Sequence, residues 1–333
     1  MLIRTLKKYQ PINFVLLIAI SILAWLNPLL NSELKGIYID PDPMPLYSFV
    51  VYLLGSAKFN FLCKIIAFVF VMLQGIIING ILNQYNLLGF RGYMPGILYI
   101  ILSSAFIEFQ QIHPMLISAF FLLFAWERVV RAYEKENTFE AYFNASFLIG
   151  LASLFYPNSI YFLIIIFLSI GLNRAGHSRE FAMILAGFIT VWYFYLSIYY
   201  LLTNSLNFSG VDFRLSFSFP RYHDLVLSQI IVLAYTAFLL IYATIMLVGY
   251  ISNLKIPMRR NLKFLFLWFW IGIFLLLFTD SSFEIIYICA IPIATLLSMF
   301  FVNFKKGWVI EIIWVLFIMC IILNAAFPNL LKV

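Results

Sequence analysis

The sequence predicts an all-α protein, a polytopic integral membrane bundle with about 11 transmembrane helices. Apolar residues make up 64% of the 333 residues and charged residues only 11%, whereas soluble domains carry about 25% charged residues. The apolar residues form repeated stretches close to the roughly 20 residues that a helix needs to cross a hydrocarbon core. Lys and Arg concentrate in alternate gaps between these stretches, which is the charge pattern of a membrane protein.

The predicted spans follow one another without a large interruption. They cover residues 12–30, 61–82, 93–108, 114–130, 141–156, 158–172, 181–203, 226–251, 262–279, 285–303 and 308–326. Each should be a helix, because the backbone inside a bilayer must satisfy its own hydrogen bonds and the alternating pattern of a barrel is absent. The first span resembles a signal peptide but lacks a cleavage pattern, so we expect it to be retained. Segments 141–156 and 158–172 are short, and they form either a tight helical hairpin or a re-entrant pair.

The basic residues predict the orientation of the chain in the membrane. With an inside start, 15 Lys and Arg residues fall on one side and six on the other, and positive residues resist translocation. We therefore expect a multi-pass protein of the bacterial inner membrane with a cytoplasmic N-terminus and a periplasmic C-terminus. Residues 1–333 should form a single transmembrane domain with no separate soluble domain, and the largest external loops are 31–60 and 204–225. This asymmetry also explains the net charge of +7 without a nucleic-acid partner.

The first external loop contains the most distinctive motif, Asp40-Pro41-Asp42-Pro43. Proline fixes its own φ and favours extended geometry in the residue before it, so both carboxylates should be held away from the backbone. A fixed carboxylate near the membrane surface suits a general base that acts on an acceptor beside a lipid-linked donor. The alternative is a turn with solvated acids. Residues 46–54 are too short to cross the bilayer and are expected to lie in the interface as a juxtamembrane helix.

Glu108 and His113 flank a short external turn that ends at Pro114. A carboxylate and an imidazole at this spacing could meet on a phosphate-bearing or hydroxyl-bearing ligand. The alternative is a polar turn that ends one helix and starts the next at the proline.

The second external loop contains Arg214, Arg221 and His223. External Arg runs against the preferred topology, and its guanidinium forms forked hydrogen bonds with phosphate. These cations are therefore predicted to bind a lipid phosphate or pyrophosphate. The alternative is that they pair with Asp212 and Asp224 in the same loop.

The sequence contains no recognisable motif for a metal or cofactor. Cys63, Cys289 and Cys320 are scattered through apolar segments, and no His-x-x-x-His or Cys-x-x-Cys spacing occurs, so a structural metal is not expected. No Walker loop, dinucleotide fingerprint or nucleophile elbow is present either. We expect no cofactor, and a requirement for a divalent metal stays open.

Two parts of the chain are similar to a known family. They are Arg91-Gly92-Tyr93-Met94-Pro95-Gly96 through His113-Pro114, Ala125-Trp126-Glu127-Arg128 and Gly150 to Pro157, and then Phe278 to Tyr287 followed by Ala290-Ile291-Pro292. They resemble the GT-C glycosyltransferases, polytopic helical membrane enzymes that depend on polyprenyl-phosphate sugars. The chain also resembles an uncharacterised group of polytopic bacterial inner-membrane proteins.

The resemblance implies where the catalytic base should lie. In the GT-C family the base is an acid in the first external loop, where this chain has Asp40 and Asp42, with Glu33 as a weaker substitute. The chain departs from the family pattern because the common Asp-Glu pair is absent.

We therefore expect a GT-C-like glycosyltransferase that transfers a sugar from a polyprenyl-phosphate donor to an acceptor at the periplasmic face. Asp40 or Asp42 would activate the acceptor hydroxyl, while Arg214 and Arg221 would hold the donor phosphate. The expected partners are membrane lipid and proteins of the envelope. The alternative is a non-catalytic subunit of an envelope complex or a transporter of lipids or small molecules, although no internal repeat of the kind found in many transporters is visible.

Overall fold

The computed structural model describes nine segments of the chain. These are residues 10–31, 33–40, 42–132, 138–173, 178–204, 226–251, 254–278, 285–303 and 307–326. Most of the described residues are helical, and their only extended pairing is one isolated bridge between Ile37 and Ile112. The α-helices are α1 (Pro11–Leu30), α2 (Pro45–Leu54), α3 (Asn60–Gln84), α4 (Met94–Ser103), α5 (Pro114–Ala132), α6 (Phe139–Phe155), α7 (Phe162–Asn173), α8 (Ser178–Thr203), α9 (Leu227–Tyr250), α10 (Ile256–Phe278), α11 (Ile285–Asn303) and α12 (Gly307–Ala326). Short 3-10 turns lie at Ala57–Phe59, Ile107–Phe109 and Pro157–Tyr161.

Proline marks the start of several helices. Pro11, Pro45, Pro95 and Pro114 lie in the first turn of α1, α2, α4 and α5. The fixed φ of proline suits a helix there, and its missing N–H would have no partner within the helix at that position. The short helix α2 corresponds to the juxtamembrane helix predicted for residues 46–54.

Each predicted span contains a helix, but the helices differ in length. Seven helical segments of the described chain are long and apolar enough to cross a membrane, namely α1, α3 with its preceding turn, and α8 to α12. The helix α4 has only 10 residues, which is shorter than the predicted span 93–108. The multi-pass membrane character is thus supported, while the number of eleven spans and their orientation stay predictions.

The most buried of the seven long helices is α11. Its apolar window is 89% buried within the protein, whereas the corresponding value for the other six lies between 17% and 39%. It packs against α4, α5, α9 and α10. A helix that is apolar on all sides suits this enclosed position.

Gln74 of α3 connects the buried helix α11 to α3, α4 and α5. Its Oε1 accepts hydrogen bonds from the hydroxyls of Tyr99 in α4 and Tyr287 in α11, both at 2.7 Å. Its Nε2 donates to the carbonyl oxygen of Leu116 in α5 at 2.6 Å. All three polar side chains are buried, so the bonds replace water that the interior does not supply.

The helices α3 and α4 approach closely at Gly96. A methyl group on Gly96 would clash with the side-chain amide of Asn79 and the backbone oxygen of Gly75. The backbone N–H of Gly96 donates to Asn79 Oδ1 at 2.8 Å, which fixes the same contact. Small residues allow this kind of approach between helices in membranes.

We predict that Gly96→Ala destabilises the bundle, because overpacking of a tight contact costs about 1–3 kcal/mol. The melting temperature of the purified protein in detergent measures the effect. Gly80→Ala in α3 is the matched control, since a methyl group there meets no atom within 4 Å. Equal melting temperatures for the two variants would contradict the proposed contact.

Candidate functional site

Two segments at one end of the bundle are joined by backbone hydrogen bonds. Ile37 and Ile112 form a parallel bridge, in which Tyr38 N donates to Ile112 O and Ile112 N to Gly36 O, each at 2.8 Å. The hydroxyl of buried Tyr47 in α2 donates to Tyr38 O at 2.5 Å and to Ile112 O at 3.0 Å. The loop that leads to Asp40 and the loop after α4 therefore form one unit, and we call this end of the bundle the Asp40 end.

The first residues of α3 hold the same loop from the other side. Asn60 Oδ1 accepts from Gly36 N at 2.5 Å, and Asn60 Nδ2 donates to Leu34 O at 3.0 Å. Only glycine fits at position 36, because a side chain would clash with the backbone oxygen of Asn60. Lys64 is 2% exposed, and its Nζ donates to Asn31 O at the C-terminal end of α1 at 2.6 Å. A cation is favourable at a helix C-terminus, so Lys64 stabilises the point where the loop begins.

Asp40 and Asp42 lie on this anchored loop. Asp40 is half-buried and Asp42 is exposed, and Asp40 Oδ1 accepts from the backbone N–H of Asp42 at 3.1 Å. This is the local Asx turn that Asp residues often form. It orients one carboxylate and leaves the other open to the surroundings. The role of either residue as a base stays a prediction.

His113 is enclosed by the protein. It is 1% exposed, and its Nδ1 accepts from the backbone N–H of Leu116 at 3.2 Å. Its ring meets Tyr287 edge to face with centroids 4.8 Å apart. Burial lowers the pKa of His113 from 6.5 to about 3, and a weaker opposing effect comes from the backbone of Phe109. The imidazole is thus neutral and supports the loop, while direct contact with a ligand stays a prediction.

Glu108 is exposed and lies in the 3-10 turn after α4. Its Oε1 accepts a hydrogen bond from Gln229 Nε2 in the first turn of α9 at 3.1 Å. Gln229 Oε1 in turn accepts from Val226 N at 3.2 Å. The amide of Gln229 is therefore oriented by two partners, and its NH₂ group faces the carboxylate.

A large apolar cavity begins beside this pair. Its volume is about 1040 Å³, and its walls come from the end of α4 and from α9, α10 and α11. Small-molecule pockets usually measure about 300–1,000 Å³, so this cavity can accept a large ligand. Ala105 and Phe106 line it just before Glu108, and Val232 lines it one turn after Gln229. Glu108 and Gln229 do not line the cavity themselves, but they follow and precede lining residues at this end, which we call its rim.

One wall of the cavity faces the surroundings of the bundle. Ile241 and Ile245 of α9 are 62% and 67% exposed, and Trp270 of α10 is 63% exposed, yet all three line the cavity. In a membrane such exposed apolar side chains would face lipid. The hydrocarbon chain of a lipid could then enter the cavity from the bilayer.

Three of the predicted site residues, Arg214, Arg221 and His223, lie outside the described residues, and their phosphate-binding role stays a prediction. In the described segments no group of three or more His, Cys, Asp or Glu residues could hold a metal. Sequence reasoning identified Glu108 by its charge but overlooked Gln229, Tyr47 and Asn60. A neutral residue in an apolar or aromatic stretch has no distinguishing pattern until its partners are known.

The fold defines a class, the polytopic helical membrane proteins, and this one has a large apolar cavity. The chain belongs to DUF6427, a family of unknown function whose model matches residues 44–333. No curated protein matches the chain.

Among solved structures, the chain is similar to the crystal structure of the Archaeoglobus fulgidus oligosaccharyltransferase in the apo form, with a TM-score of 0.52 and 10% sequence identity. The match covers 94% of this chain and 56% of that chain, so the chain spans little more than half the length of the archaeal protein. The similarity supports the GT-C-like fold that the sequence resemblance implied.

We predict that Tyr47→Phe loosens the Asp40 end, because the Tyr47 hydroxyl no longer donates to Tyr38 O and Ile112 O, and a typical hydrogen bond contributes about 0.5–1.5 kcal/mol. Hydrogen exchange should accelerate at the amides of Tyr38 and Ile112, and the melting temperature should fall. Tyr52→Phe on the same helix is the control, since Tyr52 is 84% exposed. Unchanged exchange at both amides would show that the hydroxyl does not hold the two loops.

We predict that acid destabilises the protein through His113. Its pKa is lowered from 6.5 in the unfolded chain to about 3 in the folded protein. The contribution of neutral His113 to the free energy of unfolding is complete above the pKa of the unfolded chain. It is lost as the pH falls towards the pKa of the folded protein, by about 1.4 kcal/mol per pH unit. The melting temperature of the wild type should therefore fall more steeply below the unfolded pKa than that of His113→Phe. Parallel pH profiles would contradict the buried, neutral state of His113.

Proposed function

We propose that the protein is a GT-C-like glycosyltransferase of the bacterial inner membrane. It transfers a sugar from a polyprenyl-phosphate donor to an acceptor at the periplasmic face. The observation that carries this proposal is the lipid-facing apolar cavity, which reaches the end of the bundle where the candidate carboxylates lie. The similarity in fold to an oligosaccharyltransferase is a second support.

The dimensions of the cavity suit the chain of a lipid-linked donor. Along α9 its lining runs from Val232 to Val248, which corresponds to about 24 Å of helix at about 1.5 Å per residue. The hydrocarbon core is about 30 Å thick. A polyprenyl chain lying there would bury apolar surface along most of its length and would place its phosphate near the Asp40 end.

The chemistry needs a base and a cation at this end. Asp40 or Asp42 would take the proton of the acceptor hydroxyl, whose oxygen then bonds to the anomeric carbon as the carbon–oxygen bond to phosphate breaks. Polyprenyl phosphate leaves with the electron pair. Arg214, Arg221 and His223 are the candidates to stabilise its negative charge.

The alternative function is a non-catalytic subunit of an envelope complex or a transporter. Movement of a polar headgroup through the cavity would need polar groups along its route, since desolvation of such a group is costly. Thr236 and Thr244 line the cavity, but their hydroxyls already donate to the carbonyl oxygens of Leu233 and Ile241. The lining therefore suits a stationary chain better than a moving headgroup.

We predict that the double variant Asp40→Asn, Asp42→Asn abolishes sugar transfer. An amide cannot take up the proton of the acceptor hydroxyl. Transfer from a radiolabelled polyprenyl-phosphate sugar, measured in proteoliposomes, tests this. Glu140→Gln is the control, since Glu140 is an exposed acid in the first turn of α6 and should leave transfer unchanged. Membrane insertion and melting temperature should be the same for all variants.

Full transfer by the double variant would refute the base assignment. Wild-type function that survives loss of these acids, together with co-purification of a stoichiometric partner, would favour the subunit.

A further inference from the structure

The carboxylate of Glu108 lies at the rim of the cavity and is held there by Gln229. The proposed function gives it no role, since the base is Asp40 or Asp42 and the phosphate is held by cations. Glu108 follows two lining residues, Ala105 and Phe106, and its partner Gln229 precedes the lining residue Val232 by one turn. A ligand whose polar end lies at the Ala105–Phe106 end of the cavity would therefore place it near Glu108.

The hydrogen bonds around Glu108 determine which polar groups of a ligand can bind to its carboxylate. One carboxylate oxygen receives the Gln229 amide, whose orientation is set by Val226 N. The Glu108 side chain is exposed, and no Lys, Arg or His of the described segments forms a salt bridge with it. An ionised carboxylate accepts hydrogen bonds only, so it repels a phosphate and attracts groups that donate.

We propose that Glu108, held by Gln229, binds hydroxyl groups of the sugar carried by a lipid whose apolar chain occupies the cavity. The identity of the ligand as a sugar lipid rests on the proposed function. The inference assigns the sugar, and not the phosphate, to the turn after α4. Glu108 is thus a residue that determines selectivity for the headgroup.

Binding measurements with purified protein in nanodiscs test this assignment without any transfer reaction. The probes are a polyprenyl phosphate, the corresponding polyprenyl-phosphate sugar, and phosphatidylethanolamine as a lipid with an ammonium group, each measured by native mass spectrometry. The wild type should prefer the sugar-bearing lipid to the bare phosphate by about tenfold or more, the effect of one hydrogen bond to a charged group. Glu108→Gln should lose that preference and bind the bare phosphate at least as tightly as the wild type does, because the charge that repels the phosphate is gone.

Two further variants keep the experiment decisive. Glu140→Gln should behave as the wild type, because Glu140 is an exposed acid in the first turn of α6 and does not line the cavity. Ala237→Trp, which places a large side chain in the cavity, should weaken both polyprenyl lipids equally, and it shows that binding uses this cavity.

Several results would overturn the proposal. These are an unchanged sugar preference in Glu108→Gln, the absence of binding of any probe to the wild type, and a Glu108-dependent preference for phosphatidylethanolamine over the sugar lipid. Sugar-lipid binding that depends on Glu108 without any transfer would support this inference and contradict the proposed function. Transfer that proceeds with unchanged sugar-lipid affinity in Glu108→Gln would do the reverse.

Discussion

The hydrogen bonds of the Gln74 side chain are the constraint on which the rest of the bundle depends. They connect α3 to Tyr99 of α4, Tyr287 of α11 and the backbone of Leu116 in α5. In an apolar interior no water replaces a lost partner, so each bond must be made within the protein. Apolar packing alone tolerates a shift of one helix along another, but three directional bonds to one amide do not. The four helices are therefore fixed in one axial register.

This register extends from the core to the Asp40 end. Leu116 binds Gln74 through its carbonyl and His113 through its N–H, and Tyr287 supports the His113 ring. One residue earlier, Ile112 pairs with the loop that leads to Asp40. The carboxylates are thus positioned by contacts that begin deep in the bundle. A loop placed in this way can hold a functional group more accurately than its own sequence would allow.

The sequence predicted features that depend on neighbours along the chain, and it overlooked those that depend on distant partners. Long apolar stretches specify helices wherever the chain lies, which is why the all-helical fold class and the short helix α2 were predicted. Gln74 and Tyr287 are 213 residues apart, and a single Gln in an apolar helix has no pattern that marks it. The helix α4 ends earlier than predicted because the chain turns at Ser104, whose hydroxyl and carbonyl are bound by Trp25 and Gln110.

The separation between an apolar cavity and a charged rim has an energetic reason. A carboxylate inside the cavity would be costly to desolvate, whereas Glu108 at the rim keeps its charge in contact with water or headgroups. In the proposed function, affinity for a lipid comes from the apolar area that its chain buries, which is the same for many lipids. Selection among those lipids must come from the few polar groups at the rim. Substitutions near Glu108 and Gln229 could therefore change which headgroup is selected. The buried hydrogen bonds of Gln74 that fix the helices would stay intact.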